Sequence, residues 1–488
     1  TMDGDQTWVD VSNHLQELPQ GSWIVQIKAS NKVKGEAFLV ANDYRRFNYT
    51  PYVYKTTNYG KTWSRLVDQN DVASYALSVV EDPIEKNLLF LGTDDGLYYS
   101  LNAGQSWTKW TNGFPTVPVK DLVIHPREHD LVIGTFGRAA WVLDDIKPLR
   151  ALAKDASLLN QKVNLFEPSV AYQAAYQQPS GSRFGADAVY HGENKEYGAA
   201  FTYFIQVEEK PETETDKVTE ETDDNEAADE QDESTVKWDS ISLKIYDGDR
   251  LIRTLKQKTP DSTGFYKMRW RMDEKGVVRP SRTIEKQKNE PGGVRVKPGT
   301  YRAELHYGDL ISKSEIKVKS DPRLEVSTSN IDEVYNASKA LEKYSQAAYE
   351  AVKQLVENKK IANEYKNKLQ KEDKKTYKKD IEASKEIIKK VDSIIAVFIG
   401  KEDKRQGITR NPDVNVMQRL GTAEWYVSSR QNGLTSTEQT LLNHAKVAVE
   451  DALQKTNAFF NTEWKTYQKR MESISLSPFK EIKVLTIK

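Results

Sequence analysis

The chain of 488 residues contains no cysteine. Disulfides, thiol nucleophiles and cysteine–zinc centres are excluded together, while the compartment stays open, since many envelope proteins do without cysteine. Net charge is nearly absent: 71 Lys and Arg stand against 72 Asp and Glu. That balance argues against a nucleic-acid binder, which normally carries a basic excess. No run approaches the roughly 18 consecutive apolar residues of a membrane span, and no charged-then-apolar signal segment opens the chain. Histidine is scarce, and of the six only His125 and His129 are four apart. They flank a Pro-Arg-Glu turn and read as surface turn histidines, so neither metal nor other cofactor is expected. His-Glu-x-x-His, the full phosphate-cradling pattern Gly-x-x-x-x-Gly-Lys-Ser/Thr and a Gly-x-Ser-x-Gly elbow are all missing.

Aromatic residues are plentiful, with 24 Tyr and 10 Trp, which suits a β-rich protein. They also mark a repeat. TMDGDQTW opens the chain, TTNYGKTW spans Thr56–Trp63 and SLNAGQSW spans Ser100–Trp107. Each has a hydroxyl residue, an Asp or Asn two places on, a tight-turn centre and a Thr-Trp or Ser-Trp ending. The first copy has Asp5 where the others have Gly60 and Gly104, and is the weakest match. The Asp or Asn side chain can accept hydrogen bonds from the turn's own N–H groups. Glycine takes positive φ at little steric cost, and the Trp on the next strand can bury a large ring between sheets. Asp3, Trp8, Asn58, Gly60, Trp63, Asn102, Gly104 and Trp107 are therefore turn fasteners rather than catalysts.

Around these octets run short strands of period two. Ser74–Val80, Leu88–Thr93, Gly96–Ser100 and Ser106–Trp110 make one unit. Ser22–Ile27, Ala37–Ala41, Tyr52–Thr56 and Thr62–Leu66 precede it, and Val119–His125, Leu131–Thr135 and Ala139–Leu143 follow. About four strands to a unit, with a unit every 40 to 55 residues, is the pattern of β-propeller blades. About two and a half blades cannot close a ring that needs at least four. The expectation is a chain that lacks N-terminal blades of the same polypeptide.

Residues 147–200 read as mixed and connective, with a strand at Val163–Leu165. Phe201–Val207, Ile241–Asp247, Leu251–Leu255, Tyr266–Arg271, Gly299–Tyr307 and Ser314–Lys319 then suggest an immunoglobulin-like sandwich. It is interrupted by an acidic stretch: 14 of the 26 residues of Glu208–Glu233 are acidic and two are lysine. Such a composition cannot bury enough apolar surface to order itself. It reads as a disordered hairpin insertion without the regular ligand spacing of a calcium site. After Asp321-Pro322-Arg323 the apolar period changes to three and four over 330–370, 372–399, 412–430 and 436–473. Thr435-Ser436-Thr437-Glu438 is a capping box, with Gly400 and Gly433 as breaks. An antiparallel helical bundle follows.

The octets resemble the Asp-boxes, or bacterial neuraminidase repeats, of sialidases, xyloglucanases and sortilin-type propellers. Tyr44-Arg45-Arg46, Pro51-Tyr52-Val53-Tyr54-Lys55-Thr56 and Gly134-Thr135-Phe136-Gly137-Arg138-Ala139-Ala140-Trp141-Val142-Leu143-Asp144-Asp145-Ile146 are similar to the last blades of bacterial sortilin-like BNR-repeat proteins, often labelled glycosyl hydrolases. Glu193-Asn194, Tyr197-Gly198-Ala199, Ile245-Tyr246-Asp247, Trp270 and Pro298-Gly299-Thr300-Tyr301 are similar to the Ig-like domain of that family. The resemblance implies a multidomain, mainly β chain with an α domain. A partial Asp-box β-propeller would occupy residues 1–170 and a linker 171–198. An Ig-like β-sandwich would occupy 199–325 with the acidic disordered insertion at 208–235, and a C-terminal antiparallel helical bundle 326–488.

For function, the resemblance implies a bacterial protein, secreted or in the cell envelope, that captures a peptide, protein or glycan, with no nucleic acid and no transmembrane segment. The alternative is a glycoside hydrolase acting on a polysaccharide, which needs two carboxylates across a cleft. Asp94, Asp95, Asp144 and Asp145 are the paired acids available, though Asp at strand ends commonly caps turns. Sialidase activity is disfavoured because the Arg-Ile-Pro motif is absent. Arg138 and Trp141 could offer a charged stacking surface to a ligand, or pack between blades. A third reading makes the helical tail the partner-binding module.

Overall fold

The structure, a computed structural model, describes residues 6–174, 195–207, 240–284, 287, 289–401 and 414–474. It is mostly β sheet with a C-terminal helical region. The chain divides into two compact units: Thr1–Leu251 with Leu255–Arg271 and Gly299–Lys319, and Ile252–Thr254 with Met272–Pro298 and Ser320–Lys488.

In the first unit the period-two runs become antiparallel meanders. β1 (Trp23–Ala29), β2 (Ala37–Asp43), β3 (Asn48–Thr56) and β4 (Ser64–Arg65) form one sheet in chain order. β5 (Ala76–Glu81), β6 (Leu89–Thr93), β7 (Gly96–Ser100) and β8 (Thr108–Lys109) form a second, and β9 (Val119–Ile124), β10 (Leu131–Thr135) and β11 (Ala140–Leu143) a third. Alternation decides how they stack. Phe38, Val40 and Val53 of the first sheet share a core with Val79, Leu89 and Leu91 of the second. The intervening Val80, Leu88 and Phe90 face Leu122, Ile124, Leu131 and Ile133 of the third. Each such burial contributes about 1.5 to 3 kcal/mol relative to an exposed position. Close approach of the second and third sheets depends on Gly92, where a Cβ would stand 2.6 Å from the Val119 carbonyl.

The outermost faces differ. Leu39, Ala41, Tyr52 and Tyr54 on the far side of the first sheet pack with Leu15, Leu18 and Trp63. On the third sheet Val123 and Val142 are exposed. β4 and β8 are shorter than the spans Thr62–Leu66 and Ser106–Trp110 suggest. The octet turn uses the first residues, and beyond the strand one further ladder bond remains in each sheet, Leu66 N to Val53 O and Trp110 N to Leu97 O. The stretch read as connective begins with a helix, α1 (Lys147–Lys154), opened by Pro148 in its first turn.

Two more sheets lie in this unit, apart from Ile252–Thr254 and Ser320 of their strands. β12 (Val163–Leu165) pairs with β14 (Ala199–Ile205), and β14 with β17 (Gly264–Trp270). β13 (Ala171–Gln173), β21 (Leu310–Ser320), β20 (Gly299–Tyr307), β15 (Ser240–Asp247) and β16 (Arg250–Lys258) form a five-stranded sheet in that spatial order. Buried Trp270 of the first meets Tyr301 of the second edge-on at 5.5 Å. The acidic insertion at 208–235 lies outside the described residues, as do Asp3 and residues 175–194 of the linker.

The second unit combines the hairpin of β18 (Asp273–Lys275) and β19 (Gly292–Arg295) with the helices, although the pattern alone places residues 272–298 among the strands of 199–325. α2 (Thr328–Asp373), α3 (Lys378–Ile399), α4 (Val416–Ser429), α5 (Ser436–Phe459) and α6 (Lys465–Glu472) share one core, including Leu341, Val352, Leu355, Ile395, Phe398, Leu420 and Val449. Caps define their starts: Ser327 Oγ accepts from Asn330 N, and Asn415 with Gln418 and Thr435 with Glu438 form capping boxes. A single π-helical turn, Phe460–Trp464, joins α5 to α6.

Candidate functional site

The octet turns mark one end of the stacked sheets. In Thr56–Trp63, Thr56 Oγ1 accepts from the N–H groups of Asn58 (3.3 Å) and Gly60 (3.0 Å), and Asn58 Oδ1 accepts from Thr62 N at 2.9 Å. Ser100–Trp107 repeats the pattern, Ser100 Oγ accepting from Asn102 N (3.3 Å) and Gly104 N (2.9 Å), and Asn102 Oδ1 from Ser106 N at 2.9 Å. Gly60 and Gly104 sit at φ +79° and +90°. Each turn is tied to the first turn of its own sheet, Tyr59 N donating to Gly35 O at 2.8 Å and Ala103 N to Asn87 O at 2.9 Å. The first octet differs: Trp8 is 76% exposed, and Val11 O accepts from His14 N in a short 3-10 turn instead of joining a sheet.

The other end carries the β2–β3, β6–β7 and β10–β11 turns. Asp94 N donates to Tyr75 O at 3.2 Å, and Phe136 N to Pro118 O at 2.9 Å, so corresponding segments of the second and third sheets meet in the same way. There the aromatic residues gather. Arg45 lies over Trp23 at 4.9 Å and over Tyr44 at 5.5 Å. Tyr44 stacks on Tyr75 at 4.7 Å and 14°, and Tyr75 neighbours Tyr49 at 6.1 Å. The result is an unbroken ring–cation–ring chain from Trp23 to Tyr49. Trp23 is 58% and Tyr49 52% exposed. Arg46 is paired with Asp43 at 2.6 Å, whereas Arg45 makes no ion pair among the described residues.

The paired acids have other duties. Asp94 Oδ1 accepts the Tyr75 hydroxyl at 2.8 Å. Burial pushes that phenol up from its ordinary range, and donation to Asp94 raises it further. Asp95 accepts from Thr93 Oγ1 (2.6 Å), Tyr98 OH (3.1 Å) and Lys109 Nζ (2.7 Å). Burial alone would raise this carboxyl, but the bonds from Lys109 and Thr93 hold it below the usual range. Asp144 is exposed and 3.7 Å from Lys195, whose main partner is Asp130 at 2.8 Å. Asp145, at φ +57°, accepts from Lys147 N (3.3 Å) and Ser169 Oγ (3.0 Å). Trp141 packs edge-on against Phe114 at 5.4 Å and donates its indole N–H to Arg138 O at 3.0 Å, while the Arg138 side chain is exposed.

Two buried clusters escaped the sequence reading. Arg150 of α1 grips Asp82 at 2.8 Å, with His129 Nδ1 2.9 Å from its guanidinium. His129 is thus half-buried, and burial followed by the charges of Arg150 and Lys147 keeps it below the ordinary imidazole range. Glu36 and Glu81 lie buried between the first two sheets, with Lys55 on Glu36 at 2.8 Å and Ser30 on Glu81 at 2.6 Å. Burial raises Glu81, and the neighbouring Glu36 carboxylate adds to the rise. At the outer strands a cavity of about 410 Å³ runs from Glu17 and Arg65 to the turn at Ala103–Gln105. Its Arg65 is already paired with Glu17 at 2.5 Å. Among the described residues no group of three His, Asp or Glu could hold a metal, and no helix is long and apolar enough to cross a membrane.

Neither a family model nor a curated protein sequence matches the chain. Solved structures do. An ancestral GH74 enzyme aligns at 18% identity and TM-score 0.21 over 24% of this chain and 14% of its own. The Niastella koreensis GH74 enzyme aligns at 15% and 0.23 over 37% and 28%. The extracellular domain of a one-component system from B. thetaiotaomicron aligns at 10% and 0.18 over 61% and 37%. What is shared is a loose β-rich architecture. The chain spans well under half the length of each.

Proposed function

We propose that this chain is an extracellular or cell-envelope binding protein of bacterial sortilin-like, BNR-repeat type. The three stacked sheets are consecutive blades of a partial Asp-box propeller, the two following sheets an Ig-like sandwich and the helices a bundle, with ligand held at the β2–β3 and β6–β7 turns. One observation carries this reading: at that end the rings and a guanidinium are presented outward, while the acids are consumed by internal hydrogen bonds. A glycoside hydrolase requires a general acid whose pKa is raised near its substrate. Asp95 is shifted the opposite way, and the raised Glu81 is buried between sheets under Ser30.

The propeller reading is supported by Trp63. Trp107 Nε1 donates to Leu66 O of the preceding sheet at 3.0 Å, whereas Trp63 Nε1 is buried without a partner among the described residues. Buried indole N–H groups normally find an acceptor. A further sheet against the far face of β1–β4 would supply the carbonyl.

The test presents immobilised glycans and peptides to the protein, with soluble products monitored. Retention without release of reducing ends is expected. Release that disappears in well-folded Asp94→Ala or Asp95→Ala protein would transfer the assignment to hydrolysis.

A further inference from the structure

We infer that the ligand held at the Trp23–Tyr49 ring chain is an acidic glycan, a polysaccharide bearing sugar carboxylates. The inference rests on the binding reading above and adds the chemical class. Two independent features of the surface lead to it.

The first is the rings. Trp23 and Tyr49 expose more than half of their surface at opposite ends of the chain of contacts. Flat, rigid aromatic rings held by neighbours lose little entropy on binding. Their faces match the C–H faces of pyranose rings, which are apolar while the ring edges bear hydroxyls. The rings are held in place from beneath: Tyr75 is 7% exposed, stacks on Tyr44, and anchors its hydroxyl on Asp94.

The second is Arg45. Most cations in this region are neutralised, Arg46 by Asp43 and Lys109 by Asp95. Arg45 is exposed and has no carboxylate among the described residues, and its guanidinium is steadied by Trp23 and Tyr44. A guanidinium held over ring faces keeps its N–H donors for a ligand, and its fork matches a carboxylate. A sugar carboxylate is fixed to the ring that stacks, so one ligand residue satisfies both features. Arg138 is likewise exposed without an ion pair among the described residues, and Lys120 lies over Phe136 at 5.9 Å. Unneutralised positive charge therefore extends to the third sheet.

The experiment is titration calorimetry of the full chain with oligogalacturonate, with neutral oligogalactan, and with poly-glutamate. Oligogalacturonate binding is expected, weakened about 10-fold by Arg45→Gln and falling with added salt, as removal of a charge-assisted pair predicts. Trp23→Ala and Tyr49→Ala should each also weaken binding about 10-fold or less. Unchanged circular dichroism and melting keep these variants interpretable, and Arg45→Gln, at an exposed position, is the decisive one. Equal binding of galactan, or indifference to Arg45→Gln, would overturn the acidic class and leave a neutral-glycan binder. Binding of poly-glutamate alone would replace the glycan by an acidic peptide. Cleavage of either sugar polymer would instead defeat the binding reading itself. Binding to none of the three would overturn the inference while leaving the broader peptide and protein screen to judge the binding role.

Discussion

The turns at Thr56–Trp63 and Ser100–Trp107 have the same hydrogen bonds to within a few tenths of an ångström, yet their tryptophans lead different lives. Trp107 is 8% exposed and donates to Leu66 O across the junction of two sheets. Trp63 packs with Leu15, Leu18 and Tyr54, and its indole nitrogen has no acceptor among the described residues. Position three after the preceding octet's Trp is Leu66 in one case and Val11 in the other. Val11 O is occupied by His14 N. The local motif therefore makes the turn by itself, while the fate of the ring is decided by the neighbouring sheet.

That contrast can be broken by substitution, starting with the largest effect. Trp107→Ala should destabilise the β unit by about 3 to 5 kcal/mol, as expected for a buried ring, and Trp63→Ala by about 1 to 2 kcal/mol. Native-state hydrogen exchange at β5–β8 and β1–β4 amides would read both, and equal losses would erase the distinction. Next come the glycines. A Cβ on Gly104 would meet Leu66 at 3.2 Å, one on Gly60 only Trp63 at 3.7 Å. Both residues are at positive φ, so Gly60→Ala should cost about 1 kcal/mol and Gly104→Ala about 2 kcal/mol, measured as shifts in urea midpoint. Trp→Phe isolates the indole N–H. Trp107→Phe should cost about 1 to 1.5 kcal/mol, whereas Trp63→Phe should stay within about 0.5 kcal/mol because no bond is lost.

The smallest expected effect concerns Glu81, at the junction that Trp107 helps close. Its carboxyl is raised in the fold by burial and by Glu36. Such a group favours the folded state below its unfolded pKa, and that stability is lost as pH rises through the folded value. The advantage of Glu81→Gln over the natural chain should accordingly grow as pH is raised from 4 upward through the acid range. Stability differences that stay flat across this range would show that the carboxyl is not strained by its surroundings.

Much of the architecture was readable because it is periodic. β7 and β10 lie where alternation puts them, and each octet's bonds close within seven residues, so residue types alone specify them. The outer strands were read too long because their limits depend on pairing, not composition. α1 was missed since eight residues offer little more than two turns of pattern. Arg150–Asp82 and Glu36–Glu81 join positions 68 and 45 residues apart, and no local signal announces them. At the candidate site, Asp94 and Asp95 stood out as acids, but their engagement by Tyr75 and Lys109 emerged only in three dimensions. Trp23, Tyr49 and Tyr75 were passed over because isolated aromatics at strand ends look like packing. A Tyr-Arg-Arg turn followed by Tyr49 was the available hint.

The hydroxyl–Asn lock has a consequence for assembly. Since it spans so little chain, it can close while distant segments are still unstructured, at minimal loop-closure cost. The sheet-to-sheet clasp by Trp107 must wait for a carbonyl 41 positions away. Folding would then proceed from hairpin to pair of sheets, with early events insensitive to the tryptophan and late ones governed by it.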